Sequence, residues 1–195
     1  LPDRQTSAMV HVVDLWLPIL LSAVAVFVVS SVIHMALQIH KGDYRKMPNE
    51  DAVLASLRAQ GVGAGQYMFP CAGSMAEMSS PEMVAKCKQG PVGTLVVKSG
   101  GIALGKSLLQ WFLFSVLIGV LVAYLSGLAL PRGAGFRAVF RFASATAVLG
   151  YAFSSFTDSI WKGVAWGTTF KFVFDGVLYG LATGAVFAWL WPAVA

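Results

Sequence analysis

The sequence predicts an all-α membrane protein: four transmembrane helices, with a small folded α+β hydrophilic loop between helices one and two. Three observations carry that reading. Of the 195 residues, 57% are hydrophobic and 12% are charged, whereas soluble domains have roughly 45–50% apolar and about 25% charged residues. Four apolar stretches approach the about 20 residues that a spanning helix requires. The charge is concentrated between the first two of them, since eight of the fourteen Lys and Arg residues lie from Lys41 to Lys106. A mean hydropathy of +0.71 agrees. The composition leaves too little polar surface to cover a water-soluble core, and it excludes disordered and collagen-like chains.

Residues 1–14 are expected to form an outer segment. Asp3 and Arg4 are its early charges, and it lacks the basic region, short apolar run and small-residue cleavage site of a signal peptide. The first span is placed at 15–40, because 15–37 is a run of 23 residues without a charge. The second is placed at 106–130, where 108–130 is again free of charge. The third, 137–160, is shorter in substance: Arg141 and Asp158 flank a charge-free core of 16 residues. It is included because leaving it out would strand a long apolar stretch in water. The fourth, 170–193, has Asp175 near its start.

The stretch 41–105 has the punctuation of a folded subdomain. Asn49 as a cap, Glu50 and Asp51 as first-turn acids and Gly61 as a stop predict a helix over 52–60. Pro81 at a first helical position and Gly90 beyond the end predict another over 83–88. The pieces 66–70 and 92–97 read as extended, in a hairpin. So small a subdomain is marginal alone and should pack on the helices or on a partner.

Four alternating spans with the amino terminus outside put ten Lys and Arg inside and four outside. The excess of positive charge on the cytoplasmic side favours that orientation. The run His34-x5-His40-Lys-Gly-Asp-Tyr-Arg-Lys-Met-Pro, together with Gln66-Tyr-Met-Phe-Pro, Ser80-Pro-Glu-Met and Lys88-Gln-Gly-Pro-Val-Gly93, resembles a group of bacterial four-span integral membrane proteins of about this length. The resemblance implies the architecture and a bacterial inner-membrane location. It lends no catalytic or ligand residue.

Several constellations bear on chemistry. An inner charge layer gathers His34, His40, Asp158, Lys162, Lys171 and Asp175 at one end of the predicted bundle, with Lys171 and Asp175 at i,i+4 spacing and expected to pair. At the other end Asp14 is expected to meet Arg137 or Arg141. Such groups either anchor at the interface or line an ion pathway. All three histidines fall on the first segment, so one chain cannot clasp a haem between two of them on facing helices. His34-x5-His40-x2-Asp43 is a weak metal spacing, because six residues turn the second imidazole off the face of the first unless the helix ends between them. Met68, Cys71, Met75, Met78, Met83 and Cys87 form a soft cluster of the kind that selects Cu(I), or else fill packing gaps, with the two thiols free or bridged.

Gly180, Gly184 and Ala188 make a small-residue stripe for close helix packing on the fourth span. The motifs of serine hydrolases, zinc proteases, P-loops and dinucleotide-binding folds are absent from the sequence, and neither an enzyme nor a cofactor is expected. The basic balance belongs to a membrane protein and not to a nucleic-acid partner. The expected role is a non-catalytic subunit or assembly partner of a larger membrane complex, in contact with lipid and other membrane proteins. A small oligomeric ion or proton channel or transporter, through His34, Asp158, Lys171 and Asp175, comes second. A copper-handling protein comes third.

Overall fold

A computed structural model describes residues 9–101 and 103–194. Eight helices and two strands follow in order: α1 (Trp16–Ser31), α2 (Glu50–Ala59), β1 (Gly65–Phe69), α3 (Met75–Met78), α4 (Pro81–Gln89), β2 (Gly93–Val97), α5 (Leu104–Ala129), α6 (Phe136–Ala152), α7 (Ser154–Lys162) and α8 (Trp166–Trp189). A 3-10 turn, Val12–Leu15, leads into α1, and a π-helical stretch, Val32–Leu37, prolongs it. The chain divides into two compact units. One comprises the described residues of Leu1–Asp43, Ala103–Ser159 and Val164–Ala195, the other Tyr44–Ile102 and Ile160–Gly163.

Among the described residues, three helices are long and apolar enough to cross a membrane: Val12–Leu37, Leu104–Ala129 and Trp166–Trp189. The third predicted stretch, 137–160, is divided instead into α6 of 17 residues and α7 of nine, with the break at Phe153. At 1.5 Å per residue α6 reaches about 26 Å, short of the roughly 30 Å hydrocarbon core. The short charge-free core of this stretch is the sequence counterpart of that break.

In the helical unit, α6 and α8 lie closest together. A Cβ at Gly176 would stand 2.7 Å from the Cα of Ala152, and one at Gly180 would stand 2.9 Å from the backbone nitrogen of Val148. At Gly184 the backbone nitrogen of Ser144 would be 2.8 Å away. Glycines one turn apart thus bring two backbones into contact, as small residues do where lipid offers no hydrophobic drive to association. The stripe that includes Gly180 and Gly184, with Ala188 also buried, therefore packs against α6 of the same chain. Helix α1 packs on α5 and α8, and Ile19 lies against Gly119. The core holds Val26, Ile118, Val122, Val139, Ala147 and Phe187. An aromatic cluster sits among them: Trp111 meets Tyr179 edge-on at 5.5 Å, and Tyr179 meets Tyr151 at 5.7 Å. The Trp111 indole N–H donates to Ser30 Oγ at 3.1 Å, which satisfies a polar group that would be costly to bury alone.

In the other unit, β1 and β2 pair antiparallel from Gly65 opposite Val97 to Phe69 opposite Gly93, the expected hairpin. Ser80 Oγ accepts from the Met83 N–H at the start of α4, one residue ahead of Pro81. Helix α3 was not anticipated. Ser74 caps it by accepting from Glu77 N–H, and the Glu77 carboxylate accepts in return from Gly73 N–H at 2.7 Å. Asn49 precedes α2 in a left-handed conformation (φ 50°) without a side-chain cap, so its expected capping bond is not made.

Candidate functional site

The candidate site lies in the helical unit, where the chain leaves the α1 helix. After the π-helical stretch Gln38 takes a left-handed conformation (φ 50°). That residue stops the helix between His34 and His40. The condition under which two imidazoles six residues apart can share a face is therefore met, and their ring centroids stand 4.7 Å apart.

His40 is clamped on both nitrogens. Nδ1 faces Asp43 Oδ2 at 2.6 Å and Nε2 faces Asp175 Oδ2 at 2.8 Å. The ring also stacks on Phe172, one turn before Asp175, with centroids 4.8 Å apart. Behind it the Lys171 ammonium donates to Asp43 Oδ1 at 2.6 Å and to the Ile39 carbonyl at 2.8 Å. Burial pushes the Asp43 carboxyl up, but hydrogen bonds and positive charge from Lys171 and His40 outweigh it and hold the group below its ordinary value. The network thus ties the end of α1 to the start of α8.

Two ion pairs differ from expectation. Lys171 does not bond Asp175 at i,i+4; it reaches Asp43, while Asp175 turns to His40. The helical spacing permits the first pair, but the αL turn at Gln38 delivers an imidazole and a second carboxylate between the two side chains. At the opposite end of α1, Asp14 pairs with Arg132, not with Arg137 or Arg141, because Arg132 sits in the loop directly after α5, ahead of α6.

Asp175 is the most deeply held acid in this network, 1% exposed. One of its oxygens meets His40; the other, Oδ1, is buried without a hydrogen-bond partner. A buried carboxylate oxygen left in that state is expensive. Among the described residues, His34, His40 and Asp175 form the one group of three His, Cys, Asp or Glu whose donor atoms all converge, lying within 4.8 Å of one another.

Of the two remaining members of the predicted layer, both on α7, Asp158 is half-buried and Lys162 is exposed at the helix end. The soft cluster lies in the other unit: Met68 on β1, Met75 and Met78 on α3, Met83 and Cys87 on α4, and Cys71 in the loop before α3. Met83 is buried, whereas Met68, Met75 and Met78 are exposed. Both cysteines are exposed and free. Met83 is therefore spent on packing, separate from its five exposed companions.

The charge layer already groups His40 with Lys171 and Asp175, whereas Asp43 enters only through a weak metal spacing, and the pairings His40–Asp175 and Lys171–Asp43 are not foreseen. Complementary charges at the carboxyl end of one apolar segment and the start of another were the available signal. Comparison with known proteins found no family model, no curated protein and no solved structure matching the chain.

Proposed function

We propose that the protein is a four-span integral membrane protein of the bacterial inner membrane that takes up a small cation at the His40–Asp175 centre, working as an oligomeric channel or transporter. The observation that carries this reading is Asp175. It is an acid 1% exposed, one carboxylate oxygen unpartnered, on a helix long and apolar enough to cross a bilayer. Ionisable groups in such helices are costly and mark ion sites and pathways by default. The fourth crossing would be α6 continued by α7, with residues 41–106 on the cytoplasmic side. Cys71 and Cys87, both exposed and free, report on that topology. In intact cells an impermeant thiol reagent should leave them unlabelled, and it should label them after the membrane is opened. For the function, the purified chain in liposomes should carry cation flux that Asp175→Asn abolishes. Equal flux from correctly folded Asp175→Asn would exclude Asp175 from the path.

A second reading, the non-catalytic subunit or assembly partner, draws on β1, whose residues are exposed along both faces, including Tyr67, Met68 and Phe69. A second membrane protein covering that hairpin would co-purify in mild detergent. The glycine stripe lends this reading no support, because α6 of the same chain occupies it.

A further inference from the structure

The geometry points to a divalent transition-metal site at this centre, with His34, His40 and Asp175 as ligands and Asp43 and Lys171 as their support. The inference names the class of cation for the reading above and rests on it for the location, though a metal can bind here without being moved.

The donor set comes first. Two imidazole nitrogens and a carboxylate oxygen are the ligands of zinc and its first-row neighbours, and they differ from the thiolate and thioether donors that select Cu(I). Tetrahedral sites with three such protein ligands leave a fourth position for water or substrate. With metal–ligand bonds of about 2.0–2.1 Å, donor atoms in a tetrahedron stand roughly 3.3 Å apart. His40 Nε2 and Asp175 Oδ2, 2.8 Å apart, need only open by a few tenths of an ångström, and the His34 donor, within 4.8 Å, must close by more. His34 is exposed and its ring lies against that of His40, so of the three ligands it has the most room to swing.

The second observation is independent of spacing. Asp175 Oδ1 is buried with no hydrogen-bond partner, a deficit that an ion beside the carboxylate removes.

The third observation is the support. Metal-bound histidines pass their other ring N–H to a carboxylate, which fixes the tautomer and the ring plane. His40 Nδ1 makes that bond to Asp43 at 2.6 Å, and Lys171 anchors Asp43 in turn. The stacked Phe172 holds the same ring from its face. A ring so oriented before any metal arrives pays little ordering entropy on binding.

The test is Zn2+ binding to the intact chain in detergent, by calorimetry and by metal content after desalting, with Co2+ as a spectroscopic probe. The expected result is one ion per chain and a Co2+ visible spectrum of nitrogen and oxygen ligation. Asp43→Asn should weaken binding about 10–100-fold, as loss of a supporting carboxylate does, and His34→Gln and Asp175→Asn should weaken it at least as much. His34 is exposed, so His34→Gln keeps the fold and guards against a trivial loss through misfolding. The Cys71→Ser/Cys87→Ser variant should bind as the parent does. Absence of stoichiometric binding by the folded parent overturns the site, as does undiminished binding by His34→Gln or loss of binding in the double cysteine variant. Metal bound without liposome flux would refute the transporter reading and leave this site standing; flux of other cations without Zn2+ binding would do the reverse.

Discussion

The two ends of α1 each carry an ion pair between distant parts of the helical unit, yet they are built differently. Asp14 and Arg132 meet with about 30% of each side chain exposed. At the other end the carboxylates of Asp43 and Asp175 are 3% and 1% exposed and are held by the His40 imidazole and, for Asp43, by the ammonium of Lys171, whose own side chain stays 38% exposed. Half-exposed pairs contribute roughly 0–1 kcal/mol because water competes for both charges. Closed pairs are expensive to assemble and more expensive to break, since removing one member leaves a buried charge. The same residue types thus serve as an anchor at one end and as a candidate site at the other, and burial makes the difference.

The largest expected effect comes from opening the closed end. His40→Leu leaves the buried Asp175 without its hydrogen-bond partner and Asp43 with Lys171 alone. It should destabilise the fold by about 3 kcal/mol or more, read from denaturant unfolding in detergent micelles. A loss below about 1 kcal/mol would place the network among ordinary surface pairs and erase the contrast.

A second variant attacks the seal around Asp175. Gly176 lies against Ala152 so closely that an added Cβ meets its Cα at 2.7 Å, and backbone cannot give way as a flexible side chain can. Gly176→Ala should therefore cost about 1–3 kcal/mol and raise solvent access at the neighbouring Asp175, measured by hydrogen exchange in the first half of α8. Unchanged stability and exchange would show that α6 and α8 approach less closely than the structure has them.

The open end should respond weakly. Asp14→Asn is expected to cost about 1 kcal/mol or less, and the loss should shrink as salt is added, because exposed charges are screened. A double-mutant cycle with Arg132→Gln isolates the pair, and a coupling above about 2 kcal/mol would show that this end too is shut from solvent. The smallest effect is expected outside the helical unit. Cys71→Ser and Cys87→Ser replace exposed free thiols and should change stability by no more than about 0.5 kcal/mol. A larger loss would mean that the thiols hold something together.

The correct and incorrect expectations divide along a physical line. Apolar length is a local property, so Val12–Leu37, Leu104–Ala129 and Trp166–Trp189 were legible as long apolar helices. The hairpin between 65 and 97 was legible as well, from residues that favour extended backbone on either side of helix and turn signals. The break at Phe153 was less so: the short charge-free core around it hinted at a weak span without locating the turn.

Pairings were the least legible. Lys171 and Asp175 satisfy the i,i+4 rule, but the rule compares residues on one helix only and is silent about a third group arriving from another. Asp14 was matched to arginines by depth along the bundle, whereas the loop after α5 brings Arg132 nearer. The glycines of α8 announced a close contact, and nothing in their spacing named the helix that makes it.

By itself the sequence determined where the apolar helices run, where the charges must stop and which residues are small enough for backbones to touch, because each of these depends on composition within a few turns. Only the tertiary structure decided that Gly176, Gly180 and Gly184 face α6, and that a left-handed Gln38 turns His40 toward Asp175, 135 positions away. Those outcomes depend on how the backbone leaves one helix and which neighbour then lies within 3 Å, and a side chain's identity carries no record of either.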